Sequence, residues 1–188
     1  MRAIERADVA LLLIDADEGL TDGDKRVGGY AHEAGKAAVI VVNKWDLAKE
    51  QGASMKEFAA KLRNEMVFMP YAPIVFASAK EGAGVRDAVD SAVSAAESHA
   101  MRLSTGEINR LIHDAVDSHP LSHKGRQFKV YYVTMPAVKP PTIILFANDP
   151  EMMHFSYRRY LENQIRKTHA YEGTPIRIFA RKAEGARR

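Results

Sequence analysis

Ala37-Ala38-Val39-Ile40-Val41-Val42 is an unbroken apolar run that ends on Asn43-Lys44-Trp45-Asp46. Consecutive apolar residues leave no face for water, so the run reads as a strand covered on both sides, as the strands of parallel sheets are. Two further runs repeat the pattern outward from it. Val9 to Ile14 ends at Asp15, and Pro73 to Ala77 ends at Ser78-Ala79-Lys80. Helical patterns fill the intervals: Thr21 to Ala34, opened by a Thr/Asp cap and closed at Gly35, then Ser54 to Met66 and Gly84 to His99. This alternation over residues 1–100 specifies an α/β fold, part of a doubly wound parallel sheet with helices on both faces.

From Met101 onward the pattern changes. Thr105 to Ser118 is predicted helical, with Ile108, Leu111, Ile112, Ala115 and Val116 at core spacing. Phe128 to Thr134 and Thr142 to Ala147 read as strands, separated by Pro136, Pro140 and Pro141. Asn148-Asp149-Pro150-Glu151 opens a helix expected to reach His169, and Pro175 to Ala180 is a last strand. The order α-β-β-α-β makes a small α+β domain over residues 101–182, with its boundary near Met101 to Thr105. Residues 183–188 are expected to form a disordered tail.

Charge divides along the same line. Residues 1–100 hold 12 Lys+Arg against 16 Asp+Glu, and residues 101–188 hold 15 against 8. A basic domain behind an acidic one points to a polyanionic partner, although a solvated basic surface gives the same count. No apolar stretch approaches the ~20 residues of a membrane helix, and Met1 to Arg6 lacks the pattern of an export signal. The absence of cysteine excludes disulfides and thiolate metal sites and suits the cytoplasm. His113, His119, His123 and His154 have no paired ligand spacing, so no metal site is expected.

The chemistry collects at the strand ends. Loops after the strands of a doubly wound sheet face one ligand crevice, which brings Asn43-Lys44-Trp45-Asp46 together with Ser78-Ala79-Lys80. The Asp46 carboxylate can accept from both the ring N–H and the exocyclic amine of guanine. Adenine offers an acceptor in place of the ring donor, and a site with such an unpaired group discriminates by roughly 10⁴-fold. Asn43 can tether the loop and touch the imidazole edge, the Lys44 stem can cover a base face, and the Ala79 backbone N–H suits the guanine carbonyl. Each motif alone is also what an ordinary polar turn looks like; their placement after consecutive apolar strands favours the nucleotide reading.

The chain resembles the bacterial double-GTPase family EngA/Der over residues 1–182. The resemblance rests on Tyr30-Ala31-His32-Glu33-Ala34-Gly35-Lys36, Val41-Val42-Asn43-Lys44-Trp45-Asp46 and Tyr71-Ala72-Pro73-Ile74. In the basic part it rests on Val138-Lys139-Pro140-Pro141, Asn148-Asp149-Pro150-Glu151, Met153-His154-Phe155-Ser156-Tyr157 and Gly173-Thr174-Pro175-Ile176. It implies a P-loop GTPase-type sheet followed by a KH-like domain, GTP or GDP as ligand, and a role on the large ribosomal subunit. Trp45 within the base-reading motif looks like the family's second GTPase domain.

A phosphate-binding loop needs two glycines five apart, then Lys and Ser/Thr. Gly23 and Gly28 are the one such pair, and Gly29 stands where Lys is needed. Ala34-Gly35-Lys36-Ala37 has Tyr30 at the first glycine position and Ala37 in place of the hydroxyl. Asp17-Glu18-Gly19 and Asp22-Gly23-Asp24 lack the Asp-x-x-Gly spacing of the magnesium-facing motif. The expectation is a fragment holding the guanine motifs and the KH-like domain, without catalytic residues. Its front GTPase portion, which would hold phosphate and Mg²⁺ in the complete protein, would be a further partner. Without that portion the strand Val9 to Ile14 is expected to have an open edge.

The basic domain has no two glycines three apart, so the Gly-x-x-Gly clamp of RNA-binding KH domains is absent. Ribosomal RNA or the large subunit, and not DNA, is the expected partner. The candidate contacts are Arg158, Arg159, Arg166, Lys167, Lys129, Lys139 and Arg177, with Lys124 and Arg181 nearby in the pattern. Glu162 and Arg166 at i,i+4 spacing also read as a helix-stabilising pair, and Tyr131, Tyr132 and Phe146 read as core. The alternative is a non-catalytic RNA- or ribosome-binding module with a vestigial nucleotide site.

Overall fold

A computed structural model describes residues 2–123 and 125–183. The chain separates into two compact units, Met1–Ala100 with Tyr171–Pro175, and Met101–Ala170 with Ile176–Arg188. Lys124 and residues 184–188 of the expected tail lie outside the described residues.

The first unit runs α1 (Arg2–Arg6), β1 (Val9–Asp15), α2 (Asp22–Glu33), β2 (Ala37–Asn43), α3 (Trp45–Glu50), α4 (Met55–Glu65), β3 (Ile74–Phe76) and α5 (Val85–Ala100). β1, β2 and β3 form a parallel sheet in that order. Central β2 is buried from Ala37 to Val42, as its unbroken apolar run requires. Leu12, Ile14, Ile40 and Val42 pack on one face with Trp45, Leu62 and Met69. Val39 and Val41 pack on the other with Ala77, Ala88 and Ala95.

The expectation of two covered faces fails at β1. Leu11 and Leu13 point the opposite way from Leu12 and Ile14 and are 44% and 58% exposed. β1 lies at the sheet edge, and α5 covers mainly β2. Helix α2 is capped as its sequence reads: Thr21 Oγ1 accepts the Asp24 N–H while the Asp24 carboxylate accepts the Thr21 N–H.

Tyr171–Pro175 belongs to this first unit although its neighbours in sequence belong to the second. Gly173 donates its N–H to the Tyr71 carbonyl at 2.9 Å and accepts the Ala38 N–H at 2.7 Å. Thr174 Oγ1 and His99 Nδ1 lie 2.7 Å apart, both buried, and Tyr171 is fully buried. At φ +72° Gly173 has no room for a Cβ, which would strike Ala95.

The second unit runs α6 (Thr105–Ser118), a short hairpin β4 (Ser122–His123) and β5 (Arg126–Gln127), β6 (Val130–Ala137), β7 (Thr142–Ala147), α7 (Phe155–Thr168) and β8 (Arg177–Lys182). β6 pairs antiparallel with β7 and β8 pairs parallel with β7. Val133, Met135, Ile143, Leu145 and Ile178 are buried on the face that α6 covers, and α7, which buries Tyr157, Leu161 and Ile165, packs on α6. Asn109 fastens α6 to the sheet, with Nδ2 donating to the Val133 carbonyl and Oδ1 accepting its N–H, both at 2.8 Å.

One long helix from Asn148 to His169 does not form. Asp149 caps only a 3₁₀ turn, Pro150–Met152; Met153 at ψ 76° leaves helical geometry. His154 then caps α7, its Nδ1 accepting the Tyr157 N–H at 3.3 Å. The last strand is shifted by two residues to Arg177–Lys182, because the chain up to Pro175 belongs to the first unit.

Candidate guanine-binding site

The loops after β2 and β3 meet, and backbone bonds set their geometry. Trp45 donates its N–H to the Ala77 carbonyl at 3.0 Å, and Ala77 donates to Val42 at 2.8 Å. Asn43 Oδ1 accepts the Ala79 N–H at 3.0 Å, joining one loop to the other. Lys44 turns the chain in left-handed conformation at φ 59°, ψ 32°, which starts α3 at once and sets Asp46 in its first turn. Ser78 is buried, pairs with Ala83, and its Oγ accepts the Glu81 N–H at 3.3 Å. Gly84, at φ +70°, closes this loop where a Cβ would collide with the Phe76 carbonyl.

Asn43, Lys44, Asp46, Leu47, Ser78, Ala79 and Lys80 line a cavity of about 340 Å³. Six of the seven residues read from sequence are here; Trp45 is not. Its ring is buried and packs edge-on against Phe58 and Phe76, so it anchors α3 while Leu47, 38% exposed, supplies the apolar wall. Leu47 was legible only with α3 in hand, a helix whose start depends on the left-handed Lys44. The Ala79 N–H, expected to face a guanine carbonyl, is held by Asn43 Oδ1, which marks the position a carbonyl oxygen would share. Among the described residues the Asp46 carboxylate has no hydrogen-bond or ion-pair partner, and it is half-buried.

The Lys44 ammonium crosses to the Asp15 carboxylate at the end of β1, which also accepts the Asp17 N–H at 3.0 Å. The Lys44 bond holds the Asp15 carboxyl below its usual range against the opposing effect of desolvation, with the Asp17 N–H adding to it. Asp15 in turn raises the Lys44 ammonium, so the pair is charged through the neutral range.

The basic candidates of the second unit are not gathered on one face. Arg158, Arg159 and Lys167 are exposed on α7, with Arg159 over the Phe155 ring at 5.6 Å. Arg166 is clamped to Glu162, with Nη2 at 2.8 Å from Oε1 and only 18% of its side chain exposed. Lys129 precedes β6 and Lys139 lies in the β6–β7 turn, both exposed. Arg177 projects from β8 on the sheet face opposite the helices.

Residues 1–117 match the model of the elongation factor Tu GTP binding domain, and residues 102–181 match the KH-domain-like model of EngA bacterial GTPase enzymes, C-terminal. This chain belongs to the EngA/Der family. GTPase Der of Staphylococcus carnosus is 51% identical over 97% of the chain, as is that of Pelotomaculum thermopropionicum. GTPase Der of Symbiobacterium thermophilum is 48% identical over the whole chain. The chain spans 40–42% of the length of these relatives. Era of Aquifex aeolicus covers 98% of the chain, and the chain 68% of it, at 15% identity and a TM-score of 0.41, too loose a likeness to build on. Among the described residues no helix is long and apolar enough to cross a membrane.

Proposed function

We propose that this chain supplies the guanine-reading part of a GTP-binding site, joined to a unit that contacts ribosomal RNA during large-subunit assembly in the cytoplasm. The observation that carries the nucleotide reading is the unpartnered Asp46 carboxylate in a cavity whose two loops are fastened by the Asn43–Ala79 bond. Among the described residues no group occupies this carboxylate, so it is free to accept from a ligand, and guanine supplies two donors. Lys44 and Leu47 flank the cavity and suit the faces of a planar base.

Phosphate and Mg²⁺ chemistry does not follow from these residues. The sequence has no phosphate loop, and among the described residues no group of three His, Asp or Glu side chains is placed to hold a metal. No hydrolytic step is therefore assigned to this chain. GTP turnover above buffer background is not expected from the 188-residue protein, and magnesium-dependent turnover would overturn that assignment.

The decisive test is base identity in a protein that carries this segment together with a phosphate loop. Asp46→Asn should weaken GTP and favour xanthosine triphosphate, because xanthine has a carbonyl where guanine has the amine and the Asn amide can donate to it. The switch is expected to approach the ~10⁴-fold discrimination of a polar base pocket. An unchanged preference in competition binding would remove Asp46 from the base.

The basic charge of residues 101–188 and the exposed Arg158, Arg159 and Lys167 on α7 support the RNA reading. The second reading, an RNA-binding module with a vestigial nucleotide site, would stand if the Asp46 switch failed while RNA binding persisted.

A further inference from the structure

The sheet face of the second unit that the helices leave open carries aromatic rings among its polar side chains. Tyr132 and Phe146 are direct partners across β6 and β7, and their rings stack with centroids 4.2 Å apart and planes 11° from parallel. Tyr132 is 45% exposed, and Phe179 on β8 is 47% exposed beside Ile144. Phe146 and Ile144 are only half-buried. The period-2 alternation of β7 and β8 puts Ile144, Phe146, Arg177, Phe179 and Arg181 on this one side, opposite buried Ile143, Leu145 and Ile178. Arg181 is the β8 partner of Phe146.

We propose that this face is a stacking platform for single-stranded RNA, with Tyr132, Phe146 and Phe179 holding unpaired bases and Arg177 and Arg181 meeting the phosphates. It deepens the RNA reading above and rests on it. Among the outward positions of β6, β7 and β8 the charges are guanidiniums and none is a carboxylate, which fits a polyanion better than an ordinary protein surface. Exposed rings beside arginine suit bases whose faces are free, and a duplex hides those faces within its own stack. The site lies on the opposite side of the sheet from α7, so its residues separate cleanly from Arg158, Arg159 and Lys167.

The test uses the whole 188-residue chain with a fluorescein-labelled, mixed-sequence single-stranded RNA of about 12 nucleotides, a length within the range of single-strand site sizes. The Tyr132→Leu/Phe146→Leu/Phe179→Leu variant removes the rings and keeps apolar cover, and Tyr132→Phe keeps the ring. Affinity should fall about tenfold or more in the triple variant and stay unchanged in Tyr132→Phe, while a duplex of the same sequence competes weakly. Ultraviolet crosslinks should map to Tyr132 or Phe179. If the triple variant fails to fold by circular dichroism, Phe179→Leu alone and the crosslink map decide.

A folded triple variant with unaltered affinity, or crosslinks confined to α7, overturns the platform and leaves the helix-face reading standing. No single-strand binding at any salt removes both. Self-association of the wild-type chain that the triple variant abolishes, with RNA affinity unaffected, assigns the face to a second copy instead.

Discussion

The loops of the first unit and the surfaces of the second handle their ligands in opposite ways. Around Asn43 and Ala79 the two loops are fastened to each other by backbone and side-chain bonds before any ligand arrives, and among the described residues the Asp46 carboxylate is left without a partner. On α7 Arg158, Arg159 and Lys167 are exposed, as is Arg181 on the open sheet face, while Arg166 is paired with Glu162 and Arg177 is half-buried. Preorganised polar groups give discrimination between bases; exposed cations give affinity that salt removes. Damage should therefore be local and specific in the first unit and graded in the second.

The largest effect expected is at Gly173. Replacing it with Val puts a branched side chain at φ +72° and against Ala95, while its N–H and carbonyl must still bond Tyr71 and Ala38. Backbone strain and overpacking together are expected to cost about 3–5 kcal/mol. Urea unfolding followed by Trp45 fluorescence measures it, since Trp45 sits in the same unit's core. A shift within about 0.5 kcal/mol of zero, the range of ordinary surface changes, would mean the segment is not pinned. Asn43→Ala should come next, at about 0.5–1.5 kcal/mol, the net worth of the exposed bond from the Ala79 N–H. A complete GTP-binding relative carrying the same change should lose nucleotide affinity by a comparable amount. Full affinity would show that the loops hold their shape without the tether.

How much of this was legible in the sequence differs between the two units for a physical reason. β2 announced itself because a strand buried on both faces must be apolar throughout, and Asn43 and Asp46 followed by their place after it. β1 carried the same apolar run, yet Leu11 and Leu13 are exposed, because composition does not record whether a neighbour covers the strand. Trp45 was read as part of the base pocket and is core, since its direction depends on the left-handed turn at Lys44. Tyr132 and Phe146 were read as core and are half-exposed: a register shift in β6 between Val130 and Tyr132 moves the Tyr132 ring to the open side, and the regular alternation of β7 puts Phe146 opposite it. The Tyr171–Pro175 excursion into the first unit left no periodic signal at all.

In the second unit the paired state of Arg166 sharpens the salt test. Arg159→Ala/Lys167→Ala should flatten the dependence of log affinity on log salt for single-stranded RNA by about 1.4, from about 0.7 per phosphate contact. Adding Arg166→Ala should change that slope little, because its guanidinium is already bound to Glu162, and should instead weaken α7 by about 0.3–0.5 kcal/mol. A slope that falls by a further full contact on losing Arg166 would show that RNA displaces Glu162.

The smallest effect expected is the pH dependence of the Asp15–Lys44 bridge, which ties the β1 end to the base loop. Asp15 has its folded pKa lowered, chiefly by Lys44, so its contribution is complete above the ordinary aspartate value of about 3.9 and is lost as pH falls through the lower folded value. Lys44 has its folded pKa raised, so its contribution is complete below about 10.4 and is lost only as pH rises beyond that. Between these limits the bridge is constant. The Lys44 side chain is 52% exposed, which leaves the interaction screened by water and salt. Asp15→Asn removes the titrating carboxylate while preserving its shape. The stability difference between wild type and Asp15→Asn, read from urea midpoints, should be flat from about pH 5 to pH 9 and shrink as pH falls below the ordinary aspartate value of about 3.9. It should also shrink in high salt at neutral pH. A difference that persists unchanged at the acid end would mean that the Asp15 hydrogen bonds, and not its charge, hold the loop.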